Sequence, residues 1–294
     1  MMVQRARDLL STCCLALALF GVSPAEAHWS FDAELGLSHD DNLGNARSVD
    51  AQSDRAVVAT IAATRTLYLD DGDSLAWGGR LGAENYARFA GLNNAALGVN
   101  AAYRKKLGIG ALAPWWRASW TSSALSYGED ARNGWLHQAD IAAGQRLDER
   151  VNVGLAFRLE QRRAVTQDSE VPGLSGDAFS QASRSLSLSA DYAASRDWML
   201  TLGGNLRRGD IVSTSHRYRQ VFLYSKAIAD DTALGADMYA YRLTGSTLAI
   251  NAGVAVALSS DAQLNCNVQR WLTHADGGNN YARNVLAMSW ITNF

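Results

Sequence analysis

The sequence predicts an all-β fold, a closed antiparallel up-and-down transmembrane β-barrel of twelve strands. Three observations carry this expectation. Apolar and polar residues alternate in segment after segment, the connections between segments alternate between short and long, and no run of 18 apolar residues follows residue 27. The hydrophobic content is therefore arranged on strands, with one apolar and one polar face each.

The chain opens on a targeting segment. Arg5 and Arg7 supply a positive start, Leu9 to Val22 is apolar apart from Ser11 and Thr12, and Ala25-Glu26-Ala27 supplies a small-x-small cleavage site. Residues 1–27 read as a signal peptide and residues 28–294 as one barrel domain. Removing 27 of the 294 residues leaves 267, with Cys266 as the only cysteine, so no internal disulfide is expected. Charge is near balance, at −2, which gives no bulk attraction to nucleic acid.

The strands follow in order. Trp29, Phe31, Ala33, Leu35 and Leu37 form the first apolar file, opposed by Ser30, Asp32, Glu34, Gly36 and Ser38. Val57 to Ala63 with Leu67 and Leu69, then Leu75 to Ala83, then Ala95 to Tyr103 give the next three. Trp116, Ala118 and Trp120 mark the fifth, and Ala139, Ile141, Ala143 and Leu147 the sixth. The seventh sets Val151, Val153, Leu155, Phe157 and Leu159 against Asn152, Gly154, Ala156, Arg158 and Glu160. Leu186 to Tyr192, Trp198 to Leu206, Leu248 to Leu258, Leu264 to Val268 and Leu286 to Phe294 complete the twelve. The segment 209–244 is expected as a long outer loop. Within it Val221-Phe222-Leu223-Tyr224 and Met238-Tyr239-Ala240-Tyr241 could pair as a hairpin above the membrane or as two more strands, so ten or fourteen strands stay open.

Segments 70–73, 148–150, 195–197 and 259–261 are short, and 105–114 is somewhat longer. Segments 39–54, 126–134, 163–180, 209–244 and 274–280 are longer and polar, whereas 90–94 is short. Short periplasmic turns and long outer loops place the N-terminus in the periplasm. Odd strands then begin, and even strands end, at the periplasmic rim. Trp29, Trp77, Trp116 and Trp198 open odd strands, Tyr103 and Tyr192 close even ones, and all six have outward parity. That is an interfacial aromatic girdle. The barrel must close, because an open strand edge in hydrocarbon leaves a row of unmet backbone groups.

The chain ends on Met288-Ser289-Trp290-Ile291-Thr292-Asn293-Phe294. Here it resembles Gram-negative bacterial outer-membrane β-barrel proteins, porin-like in type, whose alternating final strand ends on an aromatic residue. Thr292 departs from the pattern, since an apolar residue is commoner there. The resemblance implies a location in the outer membrane, contact with outer-membrane lipid and lipopolysaccharide, and recognition by the barrel assembly machinery through Trp290 and Phe294. It specifies no oligomeric state.

Inward parity selects Arg80, Arg104, Arg117, Arg146, Arg158 and Arg207, with Asp32, Glu34, Glu84, Asp140, Glu160 and Asp191. One reading is a polar pore for small polar or anionic solutes or oligosaccharides. The other is a set of mutually neutralising charges in a plugged, non-conducting barrel that serves as a surface interaction or envelope and exopolysaccharide assembly partner. No catalytic set emerges. His28-Trp29-Ser30 is a chance spacing at the periplasmic rim, and His216 follows Ser213, Thr214 and Ser215 with no third orienting group. Asp40, Asp41, Asn42, Asp50 and Asp54 cluster in the first outer loop without the spacing of a known calcium loop, so neither metal nor cofactor is expected.

Overall fold

The computed structural model describes residues 27–69, 72–165 and 173–294. The expected signal peptide, apart from Ala27, lies outside these residues. The thirteen strands are β1 (Ala27–Asp40), β2 (Asp54–Tyr68), β3 (Ser74–Tyr86), β4 (Asn94–Lys106), β5 (Trp115–Tyr127), β6 (Gly134–Arg146), β7 (Val151–Ala164), β8 (Gln181–Ala193), β9 (Trp198–Ser215), β10 (Ala227–Asp230), β11 (Tyr239–Ala257), β12 (Ala262–Ala275) and β13 (Asn279–Asn293).

Twelve of them close a barrel. Each of β1 to β8 pairs antiparallel with the next, β9 pairs with β11, and β11, β12 and β13 follow in turn. The ring shuts where β13 meets β1, with Leu35 opposite Trp290 and Gly36 opposite Ser289. The Phe294 N–H donates to the Phe31 carbonyl at 2.8 Å, extending the seam to the last residue. No strand edge is left open in the wall, which meets the demand that hydrocarbon places on backbone groups.

Register and parity agree with the alternation in sequence. On β8 the burial pattern alternates residue by residue from Gln181 to Ala193. Leu155, Phe157, Leu159, Leu186, Leu188, Leu202 and Leu206 stand exposed on the outer wall. A continuous apolar outer surface of this extent matches a lipid-facing band. No helix of the described residues is long and apolar enough to cross a membrane.

The extended outer hairpin is the main departure from the sequence expectation. β9 runs on to Ser215 and β11 starts at Tyr239, so both project past the end of β8 as a two-stranded ribbon. Met238 precedes β11, while Tyr239–Tyr241 pair on one side with β9 and on the other with β10. Val221-Phe222-Leu223-Tyr224 is not a strand. It lies in a short helix, α1 (Arg219–Tyr224), which buries Val221 and leaves its neighbours outside. At 274–280 the strands themselves continue to Ala275 and resume at Asn279, leaving only Asp276–Gly278 as the turn.

Candidate functional site

The inward faces bring Arg80, Arg117, Arg158, Arg207, Glu84, Asp140 and Glu160 of the sequence-selected charges to the walls of the interior space. Arg158 Nε donates to Asp140 Oδ1 at 2.6 Å across β6 and β7. Arg80 Nη2 donates to Thr60 Oγ1 at 3.2 Å and lies 3.8 Å from Glu34 Oε2. Glu84 accepts from Asn94 Nδ2 at 3.1 Å, and Glu160 accepts from Gln138 Nε2 at 2.8 Å with Arg207 at 4.0 Å. The hydrogen-bonded pairs are neighbours on adjoining strands, and the longer Arg80–Glu34 and Arg207–Glu160 ion pairs each reach across one intervening strand. Arg80 and Arg158 side chains keep 61% and 46% of their surface exposed, so they face open space.

That space has two parts. A cavity of about 590 Å³ is lined by Thr60, Arg80, Glu84, Arg117, Asp140 and Arg158 among others. A second, of about 580 Å³, is lined by Arg132, Arg158, Glu160, Arg162, Arg207 and Asn251 among others. Arg158 is in both walls. Across the two walls arginine outnumbers carboxylate, with Arg80, Arg117, Arg132, Arg158, Arg162 and Arg207 against Glu84, Asp140 and Glu160.

Other selected residues lie nearer the periplasmic end. The Arg104 guanidinium sits 4.9 Å over the Trp115 ring, which itself lies across Gly144, where an added Cβ would be 2.5 Å from the indole. Arg146 donates to the Glu149 carbonyl at the turn. Asp191 accepts from Asn152 and Thr201. Asp32 shares the inward file of β1 with Glu34. Among the six rings of outward parity, Tyr103 meets Trp116 edge-on at 5.4 Å, and Arg65 lies 5.9 Å and 5.8 Å over Trp29 and Trp77. Trp198 and Tyr192 stand exposed on the outer wall.

The extracellular mouth is covered by the segment between β9 and β11. Asp231 is fully buried there and receives Arg132 through two hydrogen bonds, from Nε and Nη2, and a third from Thr214 Oγ1 at 2.6 Å. Arg132 comes from the β5–β6 turn and its guanidinium lies 4.5 Å from the centre of the Phe179 ring. Leu92, Ala233, Leu234 and Met238 form one apolar cluster, joined by Leu43, Tyr86 and Phe89. Val221, Ile228, Tyr241 and Leu243 form another. Gly91 and Gly44 let the segment seat closely: an added Cβ would stand 2.7 Å from Ala233 Cα and 2.8 Å from the Thr214 carbonyl oxygen, respectively. The loop aromatics therefore split. Tyr241 packs into the cap, whereas Phe222 and Tyr224 stay exposed.

Arg132, Arg162 and Asp231 were outside the sequence selection. Arg162 was within reach of it, since it continues the inward file of Arg158 and Glu160 on β7. Its Nε is buried without a hydrogen-bond partner while Nη2 donates to the Arg132 carbonyl at 2.7 Å. Arg132 and Asp231 sit in turns, where no parity exists to read.

The first-loop carboxylates do not converge. Asp40 takes Arg283, Asp41 takes the Asn284 backbone and side-chain amides, Asp50 faces His216 at 2.8 Å, and Asp54 accepts from Arg55, Arg88 and Phe89 backbone N–H groups. One His–Ser contact does form, between His137 Nδ1 and Ser122 Oγ at 2.9 Å on facing strands of the outer wall. On the outward face the two groups satisfy one another. The contact links residues 15 apart in sequence, so no local spacing announces it.

A closed twelve-strand barrel with an apolar outer band and a charged lumen is an outer-membrane β-barrel. Among solved structures the chain is similar to an outer-membrane channel from Pseudomonas putida F1, at 14% identity over 94% of this chain and 98% of that one, with a TM-score of 0.55. It is also similar to the NanC porin, at 10% identity over 89% and 98% with a TM-score of 0.46, and to the KdgM porin in complex with disordered oligogalacturonate, at 10% identity over 90% and 99% with a TM-score of 0.43. At these identities the likeness is one of fold. No family model matches the sequence, and no curated protein matches it.

Proposed function

We propose that the barrel is a porin-like channel for small polar solutes, with a preference for anions, acidic sugars among them. The supporting observation is the polar space on either side of Arg158, where Arg80, Arg117, Arg158 and Arg207 line the walls beside Glu84, Asp140 and Glu160, while Arg132 is held by Asp231 and the Arg162 Nε is buried. Guanidinium groups exposed to water in a narrow, low-dielectric tube raise the local concentration of anions and offer planar forks to carboxylates. The fold shared with the Pseudomonas putida channel is consistent with this use. Because the charge pairs run along the wall, they need not break for a solute to pass.

The packed cap favours a second reading, in which the barrel rests closed and serves as a surface partner in envelope or exopolysaccharide assembly. Purified protein in planar bilayers separates the two. A channel gives unitary currents whose reversal potential in a salt gradient is anion-leaning, and Arg158→Glu shifts it toward cations. Silence under all voltages rejects the channel, and an unchanged reversal potential in R158E removes Arg158 from the path.

A further inference from the structure

We propose that the outer wall of β7, β8 and β9 holds a phosphorylated glycolipid of the outer leaflet, its phosphate taken by Arg184 and Arg208. On each of these strands the outward file is aliphatic below and changes to arginine at its extracellular end. Leu188 and Leu186 lead to Arg184, Leu202 and Leu206 lead to Arg208, and Phe157 and Leu159 lead through Gln161 to Arg163. Arg184 and Arg208 are direct cross-strand neighbours, both exposed. Like charges placed opposite one another repel. Among the described residues neither has an ion-pair partner, nor does Arg163.

The arginines border a groove of about 590 Å³ whose floor includes Trp120, Ala139 and Leu159. An adjoining hollow of about 370 Å³ shares Gln161 and Ala182 with it and adds Arg163. An apolar floor with guanidinium groups at its upper edge fits an acyl chain below a phosphate. Two adjacent guanidinium forks can each meet phosphate oxygens bidentately, and the lipid phosphate removes their mutual repulsion. The extracellular end of the wall faces the outer leaflet, which fixes the source as lipid A-type glycolipid rather than inner-leaflet phospholipid.

Native mass spectrometry of the detergent-purified full chain tests this, using lipid A with both phosphates and the same lipid A enzymatically dephosphorylated. The expected result is at least tenfold greater retention of the phosphorylated form. R184Q/R208Q is expected to lose at least tenfold of that retention, and R184K/R208K, which keeps the charge without the fork, to retain more than the Gln variant and less than wild type. Unheated gel mobility identical to wild type certifies a folded barrel, and single R184Q and R208Q variants serve if the double variant does not fold. Equal retention of dephosphorylated lipid A, no loss in the folded Gln variants, or displacement of the lipid by millimolar inorganic phosphate alone would overturn the assignment.

Discussion

A single carboxylate shows how this protein ties a turn to its wall. Asp73 closes the β2–β3 turn, and its Oδ2 accepts from the Tyr103 hydroxyl at 2.6 Å and from Lys105 Nζ at 3.3 Å. The Tyr103 hydrogen bond, seconded by Lys105, holds the Asp73 carboxyl below the ordinary aspartate value. A depressed carboxyl stabilises the fold at pH above its unfolded value, and that contribution is lost as pH falls through the folded one. Tyr103→Phe removes the largest cause, so the Asp73 midpoint, read by carboxyl carbon NMR in micelles, is expected to rise toward the ordinary value. An unmoved midpoint would assign the depression to Lys105. Tyr103 was legible in the sequence as a ring of outward parity. Its role as a donor to Asp73 was not, because the two lie 30 residues apart and meet only through strand pairing. The lumen shows the same division. Parity on a strand points Arg158 and Glu160 inward, but which carboxylate Arg158 takes depends on register, which no single strand encodes.

At the scale of elements, the β9–β11 ribbon and its cap are where sequence and structure part. The alternation that marks the other strands fades after Leu206, because the ribbon stands above the lipid and no longer needs one apolar face. Val221-Phe222-Leu223-Tyr224 is a short apolar run without a period, and such runs suit strand and helix equally. Tertiary packing decides it: one helical turn buries Val221 against Ile228, Tyr241 and Leu243. What fastens the cap is the Asp231–Arg132 pair. Removing one partner of a buried, hydrogen-bonded ion pair costs about 3–5 kcal/mol, because the other charge is left without compensation. Asp231→Ala is therefore expected to free the cap while the wall, held by its own strand ladder, stays intact. Limited trypsin digestion should cut D231A at Lys226 much faster than wild type, with unheated gel mobility unchanged. Equal cleavage rates would show that the apolar clusters alone hold the cap.

For the whole molecule, the strand count, the closure and the outward direction of the apolar files follow from one constraint. Lipid offers no hydrogen bonds, so the backbone must satisfy itself in a ring and the polar faces must turn inward. That constraint acts on every strand, which is why period-2 alternation made the architecture readable in advance. The cap has no comparable periodic trace, because it depends on where turns place groups such as Arg132 and Asp231. The most direct measurement is spin-label accessibility in liposomes, with Cys266 replaced by serine and labels placed singly at Leu155 and at Ala156. Leu155 is half-exposed on the outer wall, and Ala156 has the opposite parity on the same strand. The label at 155 is expected to collide with lipid-dissolved oxygen and to escape a water-soluble nickel complex, and the label at 156 to show less oxygen contact than its neighbour. The reverse pattern, with 155 shielded from oxygen and 156 facing lipid, would contradict an outward apolar face and with it the barrel described above.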